Sequence, residues 1–191
     1  TEKESKVEKK EKQAQETATA AAVRPADEIF NEKIALITAK IVKIERHPDA
    51  EKLYIETLDD GSGTERVILS GLVPYFTAEE LLGKSIVVAA NLKPRKMRGI
   101  ESRGMLLAGG CTAPDGSETL EVLDGSWVHP GTPVTLEGAD TAAVKPAEID
   151  ADTFFSVPLK IVGNVVTVNG KSLMAGGKPV TTSKIPEGTV S

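Results

Sequence analysis

Between two short apolar runs, Ile86–Ala90 and Met105–Ala108, lies the segment Asn91-Leu92-Lys93-Pro94-Arg95-Lys96-Met97-Arg98-Gly99-Ile100-Glu101-Ser102-Arg103-Gly104. It carries Lys93, Arg95, Lys96, Arg98 and Arg103 against a single carboxylate, Glu101. Cations gathered this densely suit phosphates better than a small substrate. A polyanion rewards several charges acting together, because each neutralised phosphate releases condensed counterions. About five such contacts would lower affinity by roughly two decades for a threefold rise in salt. Asn91 and Ser102 add uncharged groups able to reach a base edge or a 2′-hydroxyl, and Met97 offers an apolar surface to a nucleobase. Pro94 and Gly99 break helix, so the segment is expected to be a loop held between strands.

No competing chemistry emerges from the other reactive residue types. The chain has two histidines, His47 and His129, and one cysteine, Cys111, so no zinc-ligand spacing exists. His47 precedes Pro48 and Asp49, a turn-forming pair, and is expected to be structural. Gly109-Gly110 lacks the surroundings of a phosphate loop, and Cys111 beside it is expected to be a plain buried thiol. Asp59-Asp60-Gly61 lacks the ligand spacing of a calcium loop and reads as a hairpin turn. Tyr54, Tyr75 and Phe76 could stack on bases, but aromatics on short strands more often fill cores. No nucleophile or acid–base constellation stands out, so the expectation is a binding protein without metal or cofactor.

The formal net charge of −5 conceals a segregation. Residues 84–110 hold six bases and one acid, whereas residues 111–150 hold one base and eight acids. A basic block between acidic ones gives a local field that steers a polyanion better than net charge does. No apolar run reaches transmembrane length and no signal segment opens the chain, so no membrane partner is expected. With the single cysteine, these features point to a reducing, cytoplasmic setting. Thr1 in place of Met points to a processed chain or a piece of something longer.

The elements that must position the basic segment are short. Residues 34–44, 53–58, 66–70, 86–90, 105–108, 120–123 and 134–136 read as strands separated by Gly-, Pro- and Asp-rich turns. Residues 77–82 predict a short helix, with Thr77 as N-cap, Glu80 completing a capping box and Gly83 ending it. This pattern is mainly β and suits a five-stranded barrel of the oligonucleotide-binding (OB) type over residues 29–138. Residues 139–191 carry hairpin signals, Gly163-Asn164 and Asn169-Gly170, and are expected to form a small β-rich annex packed on the barrel. Residues 1–28, charged and then Ala-rich, read as a disordered tether.

At the basic segment the chain resembles the tRNA-binding domain family, in particular its endothelial monocyte-activating polypeptide II-like subgroup of synthetase-associated cofactors. Two further motifs match in the same order, His47-Pro48-Asp49-Ala50-Glu51-Lys52-Leu53-Tyr54 and Val67-Ile68-Leu69-Ser70-Gly71-Leu72. The resemblance covers residues 31–138 and, more weakly, the annex. It implies structure-selective tRNA binding in support of an aminoacyl-tRNA synthetase, of methionyl or tyrosyl type. It places Asn91, Lys93, Lys96, Met97, Arg98, Ser102 and Met105 on the RNA-facing motif. The annex would imitate the second subunit of a dimeric relative, making the chain a monomeric pseudo-dimer. In that subgroup a segment near the first strand, rich in Arg-Ile-Gly, is tied to cytokine activity. Here it reads Lys33-Ile34-Ala35-Leu36-Ile37-Thr38. A released signalling fragment and a general single-strand binder are the alternatives.

Overall fold

The computed structural model describes residues 25–140 and 143–191. Most of the segment expected to be a tether, residues 1–24, lies outside them. The expected tether nevertheless ends earlier than residue 28, because helix α1 spans Ala26–Lys33. Asp27 and Glu28 in its first turn and Lys33 in its last complement the helix dipole. Phe30 is buried, and Asp27 accepts a hydrogen bond from Asn169 at 2.8 Å and pairs with Lys171 at 2.8 Å. Those contacts order residues whose local sequence resembles a linker.

Strand β1 (Leu36–Arg46) organises the first lobe by pairing antiparallel with three others. Its C-terminal half pairs with β2 (Tyr54–Asp59), which pairs with β3 (Glu65–Ser70). Its N-terminal half pairs with β4 (Ser85–Ala89) on one side and β10 (Pro133–Leu136) on the other. The register shifts between Ile41 and Lys43, and such a bulge lets one long strand bend between sheet neighbours. β4 continues to β7 (Met105–Leu106), which lies beside β3. The strands surround a core that includes Ile41, Tyr54, Leu58, Ile68, Ile86 and Leu106. Helix α2 (Ala78–Leu81) contributes Leu81 to it, and its capping box is formed as expected between Thr77 and Glu80.

The run expected as one strand over residues 105–108 is divided at Leu107 into β7 and β8 (Ala108–Thr112), which pairs with β9 (Glu118–Val122). The annex consists of helix α3 (Ala151–Phe155) and strands β11 (Leu159–Val162), β12 (Val165–Val168), β13 (Lys171–Ala175), β14 (Lys178–Pro179) and β15 (Glu187–Val190). Both anticipated turns form with positive φ at their two residues, Gly163-Asn164 and Asn169-Gly170.

The annex is more than a body resting on the first lobe. β13 pairs with β10 and β15 pairs with β8, so thirteen strands of the described residues form one sheet. A second core runs through both parts, from Leu36, Val87 and Leu107 to Leu159, Val166 and Leu173. Gly109 and Gly110 belong to this seam. A Cβ on Gly109 would stand 2.6 Å from Ile161, and one on Gly188 would stand 2.3 Å from the Gly110 carbonyl oxygen.

Candidate nucleic-acid interface

The basic segment folds as a hairpin where a loop was expected. β5 (Arg95–Met97) pairs with β6 (Ile100–Ser102), and Arg98 and Gly99 make the turn with φ of 50° and 86°. Positive φ at both residues is the type I′ signature, whose twist matches that of paired strands. The turn lets Pro94 and Gly99 break helix while the flanking residues still pair.

Alternation then sorts the side chains. Met97, Ile100 and Ser102 share one face and are half-buried or buried, whereas Lys96 and Glu101 lie opposite one another on the other face and are exposed. Lys93, Arg95 and Arg98 are also exposed, and with Lys96 they form no ion pair among the described residues. Arg103 differs, since its Nε meets Glu101 Oε1 at 2.8 Å in an exposed pair. The field of the arm thus comes chiefly from Lys93, Arg95, Lys96 and Arg98.

Asn91 and Ser102 do not face outward, which corrects the expectation that they contact RNA. Asn91 is buried. Its Oδ1 accepts from Ala35 N at 3.1 Å, and its Nδ2 donates to the carbonyls of Lys33 at 2.7 Å and Pro146 at 3.0 Å. Ser102 Oγ accepts from Leu69 N at 3.0 Å and donates to Gly104 O at 3.1 Å. A buried group whose hydrogen bonds are already made fixes backbone. Both residues therefore hold the base of the arm.

Two further residues anchor the arm, and neither was tied to it from sequence. Arg66, on β3, pairs through Nε with Asp60 at 3.0 Å and donates through Nη1 to the carbonyls of Ala90 at 3.0 Å and Arg103 at 2.7 Å. It thereby clasps both ends of the arm. Asp60 sits in the expected hairpin turn; burial works against its charge, but hydrogen bonds from Ser62 and Arg66 hold its carboxyl below the usual range. His47, expected to be structural, supplies the second anchor. Its Nδ1 accepts from Asp49 N at 3.0 Å, which leaves Nε2 to donate to Met97 O at 3.2 Å. The spacing of neither residue signals its partner, which comes from a distant strand.

Beneath the arm is an apolar groove of about 300 Å³, bordered by Leu69, Ser70, Leu72, Tyr75, Met97 and Met105. Met97 and Met105, both named from sequence, meet here. Tyr54, considered for stacking, is buried and donates its hydroxyl to Phe76 O at 2.7 Å. Tyr75 is 48% exposed at the groove. Below it, Ser70 donates to the carboxylate of Glu56, whose pKa is pushed up to about 7 by burial despite that bond. Cys111 is half-buried beside a different cleft, between β8, β9 and β15. The His47, Val67–Leu72 and arm motifs, separate in sequence, thus converge on one surface.

A match to the family model described as "Putative tRNA binding domain" covers residues 36–132, which include all three motifs. The chain belongs to the tRNA-binding domain family. The family is described as a binding domain. The chain is 54% identical over 171 residues to the methionine–tRNA ligase of Treponema denticola, covering 84% of this chain and 22% of that protein. It is 44% identical over 114 residues to the cytoplasmic tyrosine–tRNA ligase of Xenopus laevis, covering 59% of this chain and 21% of that one. The chain thus spans about a fifth of the length of these curated relatives. Among solved structures it resembles the C-terminal domain of Plasmodium vivax p43, with a TM-score of 0.75 and 27% identity, over 83% of this chain and 97% of that one. That likeness extends into the annex and matches the mainly β character of this tRNA-binding domain.

Proposed function

We propose that this domain binds tRNA through the β5–β6 arm, and so raises the local tRNA concentration for an aminoacyl-tRNA synthetase. The observation that carries the reading is the mounting of the arm. Lys93, Arg95, Lys96 and Arg98 are exposed without ion-pair partners among the described residues, on a hairpin fixed by Arg66, His47, Asn91 and Ser102. A rigid cationic hairpin holds phosphates at fixed spacing and reads shape more than sequence. Tethering such a module to a synthetase strengthens a weak interaction without new catalysis.

The signalling alternative draws no support from the segment on which it depends. Ile34, Leu36 and Thr38 are buried, and Lys33 and Ala35 are tied to Asn91. We further propose a monomer in which the annex replaces a partner subunit, because β13 and β15 occupy sheet positions a second chain could otherwise pair with. A cytoplasmic setting completes this reading, since synthetases and tRNA meet there.

Replacing Lys93, Lys96 and Arg98 together by Ala tests the binding surface. At moderate salt the triple variant should lose most tRNA affinity, and its log–log salt dependence should flatten by up to about 3. Circular dichroism should be unchanged. Unaltered affinity would place the binding surface elsewhere, and a preference for unstructured RNA over folded tRNA would favour a general single-strand binder. Sedimentation as a dimer would remove the monomer proposal.

A further inference from the structure

The groove under the arm has the makings of a separate subsite. Its volume of about 300 Å³ is at the lower end of ligand sites, enough for one compact planar group. Met97 and Met105 supply polarisable, adaptable walls, and Tyr75 supplies an exposed ring. Val67–Leu72, a motif that phosphate binding leaves unexplained, provides much of the opposite wall through Leu69, Ser70 and Leu72.

The charge around the groove identifies its occupant. On one side stands the arm, with the Met97 backbone held by His47 and Lys96 and Arg98 next along the chain. On the far side of Tyr75 a second cleft carries the exposed Glu79 and Glu80 beside Arg46, so the cations that could hold a phosphate backbone lie on the arm side. An apolar slot with a bank of cations along one side complements a group that is planar and weakly polar itself but attached to a charged backbone. We propose that the groove takes one unstacked nucleobase of the RNA whose backbone is gripped by the arm, with Tyr75, Met97 and Met105 packing on its faces.

Unstacking supplies selectivity, since a loop nucleotide yields its base more readily than a duplex one. The subsite would thus favour folded RNAs that offer a splayed loop base near a phosphate track. This inference rests on the binding surface proposed above but adds a contact that is not ionic, and salt dependence distinguishes the two.

Gly71 gives a clean test. It borders the groove, its φ is not positive, and a Cβ placed on it has no heavy atom within 4 Å. Gly71→Leu would fill the slot, and Tyr75→Ala would remove an exposed wall. Each variant, as the whole chain, should weaken binding to tRNA by roughly tenfold. The slope against salt should match the wild type, because no phosphate contact is lost. A scan of tRNAs with single abasic nucleotides should find a position whose loss weakens wild-type binding but is silent in Gly71→Leu. Wild-type affinity in both variants, or no abasic position masked by Gly71→Leu, would overturn the subsite while leaving a charge-dependent interface intact. Failure of the wild type to bind tRNA would overturn both.

Discussion

Arg98 illustrates how one residue can serve shape and charge at once. Its φ of 50° is costly for a side chain with a Cβ, on the order of 1 kcal/mol, yet the turn position lifts its guanidinium to the tip of the arm. Arg98→Gly should therefore preserve or slightly raise stability while weakening tRNA binding. Thermal melts and binding titrations on the same samples check the two halves. Glu56 carries a different conflict. Burial pushes its pKa up from 4.5 to about 7, so the folded state holds the proton more tightly than the unfolded chain does. Stability from this group is fully present below about pH 4.5 and falls as pH rises through 7, by roughly 3 kcal/mol at most. Glu56→Gln keeps a neutral group at the site. Wild-type melting temperature should drop from pH 5 to pH 8 by more than that of the variant, and parallel curves would refute the assignment. Asp27 acts oppositely. The hydrogen bond to Lys171 lowers its pKa, so its contribution is lost as pH falls through that lowered value.

At the scale of elements, the arm depends on its clasps more than on its own two short strands. An isolated hairpin of this size is marginal in water. Arg66 reaches a carboxylate and two carbonyls with one planar fork, which a lysine ammonium cannot reproduce. Arg66→Lys should cost about 1–3 kcal/mol in urea unfolding. It should also weaken tRNA binding although the net charge is unchanged. Loss of neither would show that the arm holds its place without the clasp. His47→Ala removes both the Asp49 and Met97 contacts and should weaken binding with a smaller loss of stability.

For the whole molecule, the seam between lobe and annex decides behaviour. A shared core and a continuous sheet predict one cooperative unfolding transition rather than two. A chain cut after residue 138 would lose β13 and β15, exposing β10, β8 and apolar residues such as Leu36, Val87 and Leu107. It should fail to give a cooperative melt by circular dichroism, whereas an independent first lobe would retain one. Gly188→Val, which drives a side chain against the Gly110 carbonyl, should lower the melting temperature without touching the arm. Its tRNA affinity at low temperature should stay near wild type.

Local sequence determined much of this. Turn residues such as Gly163-Asn164 and Asn169-Gly170, the Thr77–Glu80 capping box and the β-branched runs act over a few residues, so their outcomes were legible without a fold. The cluster from Lys93 to Arg103 likewise marked an anionic partner, because charge density is a property of composition. Tertiary structure alone decided which polar residues face outward. Asn91 and Ser102 look like recognition groups until distant backbone amides and carbonyls consume their hydrogen bonds. Arg66 looks like a surface cation until it meets Ala90 and Arg103. Gly109 and Gly110 carry no local sign of a partner, which appears only when β15 approaches them. In each case the partner is brought in by strand pairing across many residues of chain, and that pairing is fixed by burial of the shared cores rather than by any local pattern.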